Sequence, residues 1–112
     1  MNHGLSAATV DKICGVLARH PQVEKAILYG SRAKGNYKHG SDIDLTLEGE
    51  GLGYHDLLGI MGELDDLLLP YTIDLSIFRM LVHEGLREHI QRVGQEFYCR
   101  QGAGQPLPVQ PD

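Results

Sequence analysis

Two short apolar runs flank a polar and basic segment, and this arrangement limits the possible folds more than any other feature of the sequence. The first run, residues 26–29, ends at Gly30 and Ser31, and a second run of alternating apolar and polar residues begins at Asp42. Runs of this length, bounded by glycine and serine, are typical of β-strands joined by a loop. We therefore expect two strands that bracket a loop, and we treat the bracket as a candidate active site.

Hydrophobic spacing divides the rest of the chain into helices and strands. Ser6 is a suitable N-cap for the first helix, and Pro21 and Pro70 end two of the helices. The predicted elements are helix 6–20, strand 23–29, helix 31–37, strand 42–48, helix 55–69, strand 71–78 and helix 83–100. This order predicts an α/β fold, in which helices pack on the apolar face of a small mixed sheet and leave the other face for function.

Length and composition set the remaining limits. The 112 residues suit one domain, which we expect over residues 1–100, followed by a glycine- and proline-rich tail, 101–112, that we expect to be disordered. A net charge of −5 argues against direct nucleic-acid binding. The N-terminus lacks a secretory pattern and no long apolar run suggests a membrane span, so we expect a cytoplasmic protein.

Three aspartates share the polar face of the predicted sheet. Alternation places Asp42 and Asp44 on the same face of one strand, and Asp74 is the central acid on the polar face of another. Like charges about 4 Å apart repel by roughly 4 kcal/mol at an effective dielectric constant near 20, so the group requires a cation or raised pKa values. Carboxylate oxygens without nearby cysteine suit Mg²⁺, or alternatively Mn²⁺.

The loop before these aspartates carries groups that bind phosphate. Gly30 permits close approach of the backbone, Ser31 supplies a hydroxyl, and a following helix would present unpaired amides. Arg32 and Lys34 add positive charge that fits a triphosphate. The loop lacks the Gly-Lys-Ser or Gly-Lys-Thr of a P-loop. The three aspartates and this phosphate-binding loop together predict metal-assisted phosphoryl or nucleotidyl transfer.

The pattern of Gly30-Ser31, a spacer (residues 32–41), Asp42-Ile43-Asp44 and a later Asp74 resembles the nucleotidyltransferase superfamily that includes DNA polymerase β. The spacing of these residues and the small size of the chain are similar to those of the minimal nucleotidyltransferases, many of which are antitoxins paired with a HEPN-domain toxin. The resemblance implies a polymerase-palm-like core, Mg²⁺, and transfer of AMP from ATP to a tyrosine of the toxin. It also implies catalytic and metal-binding roles for the three aspartates and nucleotide contacts for Gly30, Ser31, Arg32 and Lys34.

We expect a hetero-oligomer, because no second domain is present to hold a large acceptor. Two alternatives stay open at this point. The chain would neutralise its partner by binding alone, or it would transfer a nucleotide to a small hydroxyl compound.

Overall fold

The computed structural model describes residues 4–38 and 42–100. Its elements follow in the order α1 (Ala7–Ala18), β1 (Lys25–Tyr29), α2 (Ser31–Lys34), β2 (Ile43–Glu48), α3 (Tyr54–Asp65), β3 (Ile73–Ile77), a 3-10 turn (Phe78–Met80), α4 (Glu84–Val93) and β4 (Gln95–Cys99). The segment 101–112, which we expected to be a disordered tail, lies outside the described residues.

The strands form one mixed sheet in the order β3-β2-β1-β4. Strand β1 runs antiparallel to β2 and β4, whereas β2 and β3 are parallel. The register places Leu28, Leu45 and Leu75 side by side on one face. The predicted α/β fold with a small mixed sheet is therefore confirmed, including the alternation in β2 and β3.

Helices α1 and α3 cover the apolar face of this sheet. The Ser6 hydroxyl accepts a hydrogen bond from the Thr9 amide at 3.1 Å, which fixes the start of α1. From α1 and α3, Ile13, Leu17 and Ile60 are fully buried against the leucines of the strands. Each fully buried side chain of this size contributes about 1.5–3 kcal/mol, so this layer is the main source of stability.

The C-terminal part of the chain differs from the prediction. The expected helix 83–100 ends at Val93, and Gln95–Cys99 forms β4 along the free edge of β1. A Cβ at Gly94 would lie 2.6 Å from the Ile27 side chain, so the turn at this position depends on glycine. Side-chain hydrogen bonds hold both ends of the strand, from Gln95 to Ala33 O (2.8 Å) and from Arg100 to Ala18 O, His20 O and Val23 O (2.9–3.1 Å).

Helix α4 lies on the second face of the sheet, beside β1. Gly94 at its end approaches Ile27, and the His89 ring meets the Tyr29 ring edge-on, with centroids 6.2 Å apart. Ile27 and Tyr29 belong to the face that carries Asp44, because each is paired in register with a residue of that face. The second face is thus covered at β1 by α4, while Asp74 on β3 is exposed to solvent.

Two other helices are shorter than predicted. Helix α2 ends at Lys34, followed by Gly35 in the left-handed conformation, and α3 ends at Asp65. Leu67 and Leu69 still pack against the core from the segment after α3, which explains why their apolar spacing predicted a longer helix. In the described parts of the chain, no helix combines the length and apolar character needed to cross a membrane.

Gly15→Ala is expected to stabilise the protein. Gly15 lies exposed inside α1, and a Cβ there would meet no atom within 4 Å. Alanine is favoured over glycine in a helix interior by about 0.8–1 kcal/mol, so the free energy of unfolding should rise by roughly that amount. Urea denaturation measures this change. An unchanged or lower midpoint would contradict the placement of Gly15 on the solvent side of α1.

Candidate functional site

Asp44 and Asp74 face each other across two neighbouring strands. They are register partners in the parallel pair of β2 and β3, so their side chains project from the same face of the sheet. At the next pair on the same face, two residues further along each strand, Ser76 Oγ donates a hydrogen bond to Thr46 Oγ1 at 2.9 Å. The two carboxylates therefore lie at the N-terminal ends of β2 and β3, next to a polar pair that is already satisfied.

Gly30 brings the predicted phosphate loop against the same carboxylate. The residue has φ 77° and ψ −157°, a backbone conformation that is essentially restricted to glycine. A Cβ at this position would overlap with the Asp44 carboxylate oxygen Oδ2. The close approach is possible because Tyr29, the residue before Gly30, pairs with Asp44 in the sheet. The structure thus brings Gly30 and Asp44 together, as their spacing in the sequence suggested.

The electrostatics of the site centre on Asp44. Partial burial raises the pKa of the Asp44 carboxyl above its ordinary value, and the negative charges of Asp74 and Asp42 raise it further. The charge of His89 on α4 acts in the opposite direction on this pKa. The site therefore concentrates negative charge more strongly than the neighbouring histidine offsets it. A bound cation would relieve this repulsion.

Asp42 lies immediately before β2 and is exposed to solvent. Within residues 4–38 and 42–100, no three His, Cys, Asp or Glu side chains are grouped closely enough to hold a metal ion as they stand. Mg²⁺, however, is commonly bound by one or two carboxylates, with water and substrate phosphates as its other ligands. The paired Asp44 and Asp74 suit that kind of site, and Asp42 is near enough for its charge to raise the pKa of Asp44.

The basic residues of the loop occupy different environments. Ser31 begins α2, and Lys34 at its end is exposed. Arg32 is only 3% exposed, and its guanidinium lies over the rings of Tyr37 and Tyr71, at 4.9 and 5.0 Å from their centroids. Arg32 therefore joins the loop to the segment before β3 by cation–π contacts. Its predicted contact with a nucleotide stays a prediction.

The sequence analysis did not single out Tyr29 and His89 as part of this site. Burial raises the pKa of the Tyr29 phenol, a hydrogen bond with Ser76 opposes that rise, and the charges of Asp74 and Asp44 add to it. Tyr29 consequently stays neutral beside the carboxylates. The pairing of β1 with β2 could have located Tyr29 from the sequence. His89 could not be located in this way, because the sequence analysis expected the helices on the apolar face, whereas α4 lies on the face that carries Asp44.

Asp44→Asn is expected to stabilise the protein when no divalent cation is present. Because the folded-state pKa of Asp44 is raised, the charged form destabilises the fold at neutral pH, and protonation relieves this as the pH falls through that pKa. The variant should therefore be more stable than the wild type at pH 7 by up to about 1 kcal/mol, with a difference that shrinks on acidification. Thermal denaturation in EDTA measures it. A variant less stable than the wild type at neutral pH would contradict this repulsion.

The chain as a whole matches a known family. The family model described as polymerase beta, nucleotidyltransferase, matches residues 11–103, which is most of the sequence. This chain therefore belongs to the polymerase β-type nucleotidyltransferase family. No curated protein is similar enough in sequence to count as a match.

Solved structures share this fold at low sequence identity. A toxin–antitoxin complex with AMP-PNP gives a TM-score of 0.66 and 22% identity, over 82% of this chain and 74% of that one. The toxin–antitoxin MntA–HepT gives a TM-score of 0.63 and 19% identity, over 86% of this chain and 74% of that one. A tri-AMPylated Shewanella oneidensis HEPN toxin in complex with MNT antitoxin gives a TM-score of 0.62 and 20% identity, over 84% of this chain and 72% of that one. At these identities the likeness establishes a common fold.

Proposed function

We propose that this chain is a Mg²⁺-dependent protein adenylyltransferase, which moves AMP from ATP to a tyrosine of a HEPN-domain toxin and thereby acts as its antitoxin. The observation that carries the proposal is the pairing of Asp44 with Asp74 on neighbouring parallel strands, with Gly30 held against the Asp44 carboxylate. Membership of the nucleotidyltransferase family supports the class of reaction. The proposal includes the cytoplasmic location expected from the sequence.

The proposed roles follow from where the side chains lie. Asp42 and Asp44 would hold Mg²⁺, or Mn²⁺, together with the phosphates of ATP, and Asp74 would share the ion nearest the acceptor. When bound, the metal neutralises charge on the phosphates and polarises the reacting oxygens. Gly30 lets the loop close against the Asp44 carboxylate, so a phosphate held by the metal would lie beside its backbone, and the Ser31 hydroxyl and the exposed Lys34 are available to contact that phosphate.

The transfer step exchanges one phosphorus–oxygen bond for another. The tyrosine oxygen attacks the α-phosphorus of ATP, and the bond from that phosphorus to the oxygen bridging the β-phosphate breaks, so pyrophosphate leaves. The phenol proton passes to the Asp74 carboxylate, which is exposed at the edge of the sheet, where an acceptor can approach. The products are the adenylylated tyrosine and pyrophosphate.

Two of the structural neighbours support the nucleotide and the partner. One is a toxin–antitoxin complex with AMP-PNP, and another contains a HEPN toxin that carries AMP groups and is bound to an MNT antitoxin. The alignment covers 72–74% of the matched chain in each of these structures. We therefore propose a HEPN toxin as the acceptor and a hetero-oligomer with it as the working form.

The test combines the purified chain with a HEPN-domain protein from the same genome, sought first among the adjacent genes, together with ATP labelled at the α-phosphate and Mg²⁺. We expect label on the HEPN protein, located by mass spectrometry on a tyrosine, and no label after EDTA treatment. Phenylalanine in place of that tyrosine should remove the label. The absence of any label that depends on Asp42 and Asp44 would refute the proposed transfer.

Neutralisation assays separate the alternatives. If the Asp44→Asn chain still neutralised the toxin at an equimolar ratio, the chain would act by binding alone. If the label appeared on a small hydroxyl compound and not on the HEPN protein, the acceptor class would be wrong while the nucleotidyl transfer stood. Glu48→Gln is the matched control, because Glu48 is an acid on the same strand at the end away from Asp44.

A further inference from the structure

Helix α3 carries a row of exposed apolar side chains. Tyr54, Leu58 and Met61 are 64%, 51% and 40% exposed, and their spacing of four and three residues places them on one side of the helix. Ile60 and Leu64, on the adjacent side of the helix, are buried in the core. The helix thus has a second apolar side that the rest of the described chain leaves exposed.

Leu68, just beyond α3, is also exposed, by 86%. Its φ is 55°, and among the described residues no other residue except glycine has a positive φ. The left-handed conformation costs a residue with a Cβ about 1–2 kcal/mol. A leucine that is both strained and exposed contributes little to the stability of this chain, which indicates a role in contacts outside it.

A cavity of about 180 Å³ continues this surface. Met61 lines it together with Leu64, Leu69 and Tyr71. Asp65 and Thr72 complete the lining, so polar groups border the apolar ones. A cavity of about 150 Å³ accepts a benzene molecule, so this one has the volume for an apolar or aromatic side chain. Pockets of this kind, filled by one anchoring side chain, carry much of the energy at protein interfaces.

Charge indicates what kind of molecule fits there. Every charged side chain between Lys38 and Arg79 is acidic, leaving histidine aside, and Asp65 and Asp66 are exposed at the end of α3. A second copy docked on this side would bring acidic groups against each other, because a two-fold interface pairs a surface with itself. A partner with Lys or Arg beside its apolar side chains meets no such repulsion.

We propose that Tyr54, Leu58, Met61 and Leu68, called here the α3 face, form a docking surface for a helix of a partner protein. The helix would place apolar side chains on the row and in the cavity, and basic side chains near Asp65 and Asp66. This inference rests on the proposed function only for the identity of that partner. Docking itself requires neither ATP nor the aspartates of the site.

Two synthetic peptides of about 18 residues, roughly five helical turns, test the surface. Both carry leucine along one side, and the other side carries lysine in one peptide and glutamate in its twin. Fluorescence anisotropy with the full chain at physiological salt should show that the lysine peptide binds at least about tenfold more tightly. Leu58→Ser and Leu68→Gly should each weaken its binding by at least about tenfold, as expected for central interface side chains.

The controls separate docking from unfolding and from general attraction of charge. Leu68→Gly relieves a strained backbone, so its melting temperature should equal or exceed that of the wild type while binding is lost. Val82 is 92% exposed and lies outside the α3 face, so Val82→Ser should bind the lysine peptide normally. Neither serine variant changes the net charge. Asp44→Asn should also bind normally, so this test and that of the transfer reaction fail independently.

Three outcomes would overturn the docking surface as proposed. One is that Leu58→Ser and Leu68→Gly bind the lysine peptide as tightly as the wild type, or that Val82→Ser loses as much affinity for it as they do. Another is a dimer in sedimentation experiments that Leu58→Ser dissociates, since the occupant would then be a second copy. The third is tighter peptide binding after removal of residues 101–112, since the occupant would then be the chain's own C-terminal segment.

Discussion

Asp44→Asn is expected to reduce nucleotidyl transfer by at least about 1,000-fold while the protein stays folded. Its carboxylate lies against the Gly30 backbone and is the register partner of Asp74, so this acid belongs both to the predicted phosphate-binding part of the site and to its metal-binding part. An ion bound at such a position contributes several kcal/mol of charge stabilisation in the transition state. A loss of about 4 kcal/mol corresponds to the expected decrease in rate.

Asp74→Asn should differ from Asp44→Asn in how the kinetic constants change. Asp74 lies on the exposed edge strand, away from the phosphate loop, so its loss should lower kcat with a smaller effect on the KM for ATP. Asp44→Asn should weaken Mg²⁺-dependent ATP binding as well, measured by calorimetry with and without EDTA. Equal ATP affinity in Asp44→Asn and wild-type protein would show that Asp44 is not a metal ligand.

Glu48→Gln is the control for this comparison. Glu48 belongs to the same strand and the same sheet face as Asp44 but lies at the opposite end, paired with Lys25 in the register. Its replacement removes one negative charge from the face without touching the phosphate loop. Transfer activity should therefore stay within about threefold of the wild type, since a charge near the surface and away from the reacting groups has a small effect.

Local pattern was sufficient to predict strands β2 and β3 and the sheet face that carries Asp44 and Asp74. The alternation in residues 43–47 and 73–77 assigned Asp44 and Asp74 to one face, and the structure pairs them in register. A period of two residues determines the face of a strand wherever its other face is buried, as Leu45 and Leu75 are here. The sequence therefore assigned each acid to the polar face, and the structure adds that β2 and β3 are neighbours with the two acids in register.

The features that the sequence did not predict depend on contacts between distant segments. Phe97 continues the helical spacing of Ile90 and Val93, but β1 has a free edge, and pairing with that edge converts Gln95–Cys99 into a strand. In that strand tertiary packing outweighs the local signal. The charge of Arg32 likewise gave no indication that its buried guanidinium lies over the rings of Tyr37 and Tyr71, while its contact with a nucleotide stays a prediction.

Gly30→Ala is expected to lower both stability and activity. The conformation at Gly30 costs another residue about 1–3 kcal/mol, and the added Cβ would occupy the position of the Asp44 carboxylate oxygen. The carboxylate must then move away from the loop, and displacement of a catalytic group by about 1 Å lowers a rate by roughly 100-fold. Urea denaturation and labelled transfer measure the two effects.

Gly35→Ala separates backbone strain from displacement of the carboxylate. Gly35 also has a positive φ, 88°, but a Cβ there meets no atom within 4 Å. Both variants should lose stability of the same order, whereas Gly35→Ala should keep most of its transfer activity. In the Asp44→Asn background Gly30→Ala should cost no further activity, because two changes that act through one group are not additive. If Gly30→Ala transferred AMP as well as Gly35→Ala, contact between Gly30 and Asp44 would have no part in catalysis.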